Sequence, residues 1–160
     1  MLSTNLMRYF FQLGYVTPDL DRAIEQYRER FGISEFLTFD TRAMQPDAPY
    51  HVRIGLAWTG STMVELIEPV GEHPLYDCAM PEQGFDIRLH HLGYLVPDEA
   101  TFAAAERDLG DAKIPIVSRA DVPDYFQVVY ADARASTGHH LEVVLAKPGG
   151  QAMFDAAPRA

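Results

Sequence analysis

The sequence repeats itself. Gln12-Leu13-Gly14-Tyr15-Val16-Thr17-Pro18-Asp19 returns as His91-Leu92-Gly93-Tyr94-Leu95-Val96-Pro97-Asp98, an offset of 79 residues in a chain of 160. A duplicated module limits the fold before any single residue is weighed, because both copies must bury the same faces in the same way. Each copy opens with an extended apolar run and then places Pro and Asp where a helix begins. Proline fits the first helical turn, and a carboxylate favours its positive end. Leu20, Ile24, Tyr27 and Phe31 then recur at helical spacing ahead of Gly32, and Phe102, Ala105 and Leu109 ahead of Gly110. This predicts helices over about 19–31 and 98–109. Three strand-like segments follow in each half, at about 35–39, 52–58 and 62–67, then at 115–118, 127–130 and 140–145. Each half therefore reads β-α-β-β-β, and the fold class is α+β. Module 1 runs over about 9–69, a Pro- and Gly-containing linker over 70–87 and module 2 over 88–146, all within one domain of residues 1–160. The tail, 147–160, with Gly149-Gly150 and several alanines, is expected to add little to the core.

Composition narrows the function classes. Thirteen basic residues against 23 acidic ones give a formal charge of −10, with no basic stripe to offset it, so nucleic acid is a poor partner. No apolar run reaches the roughly 18 residues of a membrane span, and the first residues carry no secretory pattern. Cytoplasm is the expected location. The single cysteine, Cys78, allows neither an intrachain disulfide nor a thiolate metal site. Any metal must be held by oxygen and imidazole.

Alternation along the strands then singles out four side chains. Residues two apart share a face of a strand, so Glu65 lies opposite Val64 and Leu66, and Glu142 opposite Leu141 and Val143. Gln12 and His91 are the matching residues of the two repeated strands. Gln12 to Glu65 spans 53 residues and His91 to Glu142 spans 51, so each module supplies one pair from its first and last strands. Unpaired polar groups are costly to bury, and a divalent metal shared by two carboxylates, an imidazole and an amide would remove that cost. His140 shares a face with Glu142 and is read as touching substrate or lining the wall. Arg53 is a candidate for an anionic substrate group. His90, alternating with His91, is expected to face outward, and Tyr125 to Tyr130 to be strand and core.

These residues resemble the vicinal oxygen chelate superfamily, which includes glyoxalase I, methylmalonyl-CoA epimerase, extradiol dioxygenases and the fosfomycin and bleomycin resistance proteins. The carriers are Gln12-Leu13-Gly14-Tyr15 with Pro18-Asp19-Leu20, then Val64-Glu65-Leu66-Ile67-Glu68-Pro69, His91-Leu92-Gly93-Tyr94 and Gly138-His139-His140-Leu141-Glu142. The resemblance implies tandem βαβββ modules forming a cupped, partly closed mixed β-sheet with helices on its outer face. It also implies a metal set of Gln12, Glu65, His91 and Glu142, similar to that of some glyoxalase I enzymes, while the stretch after Val64 reads more like the epimerases. His51 stands near the position of an acidic base in epimerases. One divalent ion (Zn, Ni, Co, Mn, Mg or Fe), a small-molecule substrate and a homodimer are the corresponding expectations.

The chemistry that follows is that of an isomerase or lyase. Proton transfer next to a metal-bound carbonyl or enediolate would use Glu142 or Glu65 as base. A non-catalytic binder of the bleomycin-resistance type is the alternative. Thiol transfer and extradiol oxygenation rank lower, the latter because Gln12 stands where a first histidine is needed.

Overall fold

The computed structural model describes residues 4–160. The chain is an α+β protein of two tandem βαβββ modules. Module 1 comprises β1 (Phe10–Val16), α1 (Leu20–Phe31), β2 (Leu37–Asp40), β3 (Val52–Thr59) and β4 (Thr62–Pro69). Module 2 repeats the order as β5 (Arg88–Leu95), α2 (Glu99–Asp111), β6 (Ile116–Val122), β7 (Phe126–Asp132) and β8 (His140–Ala146). A single turn, α3 (Arg134–Thr137), precedes β8, and α4 (Pro148–Ala156) follows it. No helix among the described residues is long and apolar enough to cross a membrane.

Both long helices begin where the repeated Pro-Asp predicts. Asp19 caps α1 through a bond from the Arg22 amide, and Asp98 caps α2 through one from Thr101. Gly32 ends α1 in the left-handed conformation, φ 73°, as a C-terminal glycine should. Gly110 does not end α2. That helix runs on to Asp111, and the left-handed residue is Lys113, φ 58°.

The chain divides into two compact units, one of Leu13–His90 with Ala156–Ala160, the other of His91–Asp155 with the residues up to Gln12. In the Leu13–His90 unit, β3 pairs antiparallel with β2 and β4, and β3 and β4 are joined by a tight hairpin in which Gly60 takes φ 61°. The core is Leu20, Ala23 and Tyr27 of α1 against Ala57, Val64 and Leu66. The linker contributes too: Phe85 and Ile87 pack on this cluster, and Tyr76 is buried with Val16, Val52 and Ile67. Glu68 ties the helix to the strands. Its Oε2 accepts from the Leu20 amide at 2.8 Å and from Arg53 Nη1 at 2.8 Å, and Arg53 also reaches Asp21 at 3.0 Å.

In the His91–Asp155 unit, β8 lies between β5, to which it is parallel, and β7, to which it is antiparallel, with β6 beyond β7. Tyr94, Phe102, Ala105, Leu109, Val129, Leu141 and Val143 form its core. The tail departs from expectation. Residues 148–156 form α4, whose buried Phe154 packs on Phe11 and Phe126 at ring separations of 5.4 and 5.1 Å. The glycine pair is there for space: a Cβ on Gly149 would lie 2.7 Å from the Asp124 carbonyl oxygen, and one on Gly150 would overlap that of Tyr125. The last residues belong to the other unit, where Trp58 N–H donates to the Pro158 carbonyl at 2.7 Å and Arg159 lies over the indole.

Two substitutions test this packing by urea unfolding. Phe154→Ala removes a buried aromatic and should cost about 3–5 kcal/mol, whereas a tail outside the core would give a change near zero. Glu68→Ala leaves the Leu20 amide without its acceptor and Arg53 with Asp21 alone, and should cost about 1–3 kcal/mol.

Candidate active site

Strand β8 decides where Glu142 points. Its neighbours Leu141 and Val143 belong to the apolar cluster beneath α2, so alternation turns Glu142 to the opposite face. There it is still 6% exposed. A carboxylate so buried needs partners, and the register supplies one: Tyr130 of β7 stands directly opposite Glu142. The Tyr130 hydroxyl donates to Glu142 Oε1 at 2.5 Å, a short bond of the charge-assisted kind. The other oxygen, Oε2, accepts no hydrogen bond among the described residues and lies 3.3 Å from His91 Nε2. His91 is fully buried on β5, and the Tyr130 ring meets it edge to face at 5.3 Å and 88°.

Gln12, 3% exposed, is placed by a glycine. A Cβ on Gly93 would come within 2.8 Å of Gln12 Oε1 and 2.9 Å of Gln12 Cβ. The repeated Leu-Gly-Tyr thus has a spatial reason at its second occurrence: only a residue without a side chain leaves the amide its place. Gly93 pairs with Glu142 across β5 and β8, so the glycine sits in the row that carries the carboxylate.

The remaining candidates are placed as follows. Glu65 lies on β4, 8% exposed, opposite Leu56 of β3 and flanked by the core residues Val64 and Leu66. His140 is 3% exposed at the start of β8, beside Asp132 of β7. The Asp132 carboxyl is held well below the usual range mainly by Arg134, with His140 adding to the effect. Arg53 has its guanidinium engaged by Asp21 and Glu68. His51, half-buried ahead of β3, has a buried Nδ1 with no hydrogen-bond partner among the described residues. His90 is buried rather than outward-facing: it is 2% exposed, its Nε2 lies 2.9 Å from the Leu75 carbonyl, and its ring packs on Tyr76 at 4.9 Å. The linker covers what alternation alone would expose. Tyr130 is the residue that sequence reasoning missed; pairing β7 with β8 in the observed register would have found it.

The His91–Glu142 pair fits a divalent ion. Two ligand atoms about 2.1 Å from a metal lie roughly 3.0 Å apart in an octahedral shell and 3.4 Å apart in a tetrahedral one, and the observed 3.3 Å falls between. An imidazole nitrogen with a carboxylate oxygen suits a first-row divalent metal.

The family model described as the Glyoxalase/Bleomycin resistance protein/Dioxygenase superfamily matches residues 11–130. No curated protein matches the chain. Among solved structures, methylmalonyl-CoA epimerase from Mycobacterium tuberculosis is similar at TM-score 0.63 and 20% identity, over 95% of this chain and 97% of that one. A hypothetical protein from Bacillus halodurans gives TM-score 0.64 and 15% identity, over 86% and 94%. Methylmalonyl-CoA epimerase from Streptomyces coelicolor, in complex with 2-nitronate-propionyl-CoA, gives 0.62 and 18%, over 86% and 96%.

The Gly93 contact generates a direct test. Gly93→Ala should destabilise the protein by about 1–3 kcal/mol through overpacking, and its crystal structure should show the Gln12 amide displaced. An unmoved Gln12 would mean that the glycine does not set its position.

Proposed function

Because the chain belongs to the glyoxalase, bleomycin resistance protein and dioxygenase superfamily, we propose that it is a metal-dependent isomerase or lyase. Its substrate would be a small metabolite in which a proton leaves a carbon next to a carbonyl or enediolate. The observation that supports this most is the buried pair of His91 and Glu142, 3.3 Å apart, with one carboxylate oxygen tied to Tyr130 and the other directed at the imidazole. We assign Gln12, Glu65, His91 and Glu142 as the donor set. Glu65 is included because it stands to Gln12 in the first module as Glu142 stands to His91 in the second, and because it is buried on its strand.

A bound divalent ion would supply Lewis acidity to the substrate oxygen, where negative charge develops. The rest falls to the chain's own side chains. Glu142 and Glu65 are the carboxylates available to take the proton and return it. Gln12 offers an amide that can orient a substrate oxygen. His140 and His51 are assigned to the substrate-facing wall. Arg53, engaged by Asp21 and Glu68, would meet an anionic group only by giving up one of them.

The solved epimerases share the fold, and the substrate class assigned here, carbonyl compounds with an acidic α-proton, includes thioesters of coenzyme A. A homodimer in the cytoplasm belongs to the same reading.

Proton exchange tests it. Metal-loaded protein is incubated in deuterated water with a panel of α-hydroxy ketones, hemithioacetals and CoA thioesters, and α-deuterium is followed by NMR. At least one compound should exchange, and Glu142→Gln should slow that exchange about 100-fold or more. Tight binding of a compound with no exchange anywhere in the panel would point instead to a ligand-sequestering protein.

A further inference from the structure

Tyr130 does more than fill space. Its hydroxyl donates to one oxygen of Glu142 at 2.5 Å, while its ring makes a T-shaped contact with that of His91 at 5.3 Å and 88°. One side chain therefore touches both members of the pair, from the neighbouring strand and in direct register with Glu142. The two carboxylate oxygens are consequently unequal: Oε1 is occupied by the phenol and Oε2 faces His91 Nε2.

We propose that Tyr130 is a positioning residue that restricts Glu142 to one oxygen toward the cation and thereby selects a small first-row ion over calcium. The inference rests on the metal-dependent reading above. A carboxylate with both oxygens available can bind in bidentate fashion, which suits the longer bonds and higher coordination number of Ca²⁺. A carboxylate with one oxygen held by a hydroxyl presents a single, oriented donor. Paired with an imidazole nitrogen, it suits Zn²⁺, Co²⁺ or Ni²⁺. Outer partners of this kind fix ligand orientation, and their loss typically costs about 10–100-fold in metal affinity. The tyrosine lies between Val129 and Ala131, both in the core, so backbone and packing hold it where the hydroxyl must be.

The experiment uses full-length protein, Co²⁺ and Ca²⁺. Affinities and the visible absorption of the Co²⁺-saturated protein are measured for the wild type and Tyr130→Phe, with thermal unfolding of the metal-free forms as the folding control. The expected result is a wild type that binds Co²⁺ in preference to Ca²⁺. Its variant should lose about 10-fold or more in Co²⁺ affinity, show a narrowed preference and give an altered absorption band at saturation. A band and affinity both unchanged would overturn the inference, as would weaker binding with an unchanged band, which is what mere loosening would give. If the wild type takes up no Co²⁺, the metal reading itself falls and this inference with it. Independently of any variant, a crystal structure of the Co²⁺-loaded wild type with both Glu142 oxygens on the metal would overturn the assignment of Tyr130 alone.

Discussion

The site depends on a carboxyl group that the fold buries. Glu142 lies between Leu141 and Val143, both committed to the core, and its exposure is 6%. Taking an ionised carboxylate out of water costs several kcal/mol unless charge or hydrogen bonds replace the lost hydration. The Tyr130 hydroxyl replaces part of it and His91 stands beside the remainder. The order of strands around β8 brings both partners to it, Tyr130 from β7 and His91 from β5, and the glycine at 93 leaves room for Gln12 beside them.

Duplication explains how such an expensive arrangement is built on a simple scaffold. One face of each module's terminal strand packs on a capped amphipathic helix, so the apolar residues have a fixed destination. Leu66 and Val64 meet α1, and Leu141 and Val143 belong to the core that includes Phe102 and Leu109 of α2. The period of the strand then leaves a single acidic side chain on the other face of each. The same device, used once in each module, buries one acidic side chain on each terminal strand, Glu65 and Glu142. The Arg53–Glu68 contact belongs to the scaffold: it joins β3 and β4 to the N-terminus of α1, where a carboxylate is favoured by the free amides.

Local rules carried most of the fold, and their failures are informative. Asp19 and Asp98 cap the helices because a carboxylate side chain can reach an exposed amide three residues on, an interaction written within a few positions. Gly32 likewise ends α1 where expected, but Gly110 does not end α2, because a glycine permits a left-handed turn without requiring one. The tail, expected to add little to the core, contributes Phe154 to it, because Gly149 and Gly150 allow α4 to lie against the backbone of Asp124 and Tyr125. His90 is buried by the linker, which alternation within one strand does not report. Tyr130 looked like one more aromatic in a strand. Its role depends on the register between β7 and β8, and register is a property of two segments and the loop between them rather than of either alone.

Metal content is the most direct measure of the central claim, that the buried imidazole and carboxylate are held apart to receive a cation. Protein purified without a histidine tag should contain, or take up on addition, one equivalent of a divalent first-row metal per chain by elemental analysis. Substitution of His91 by Ala should abolish that uptake in folded protein. Folded wild-type protein that retains no metal after exposure to Zn²⁺, Co²⁺, Ni²⁺, Mn²⁺ and Fe²⁺ would contradict it.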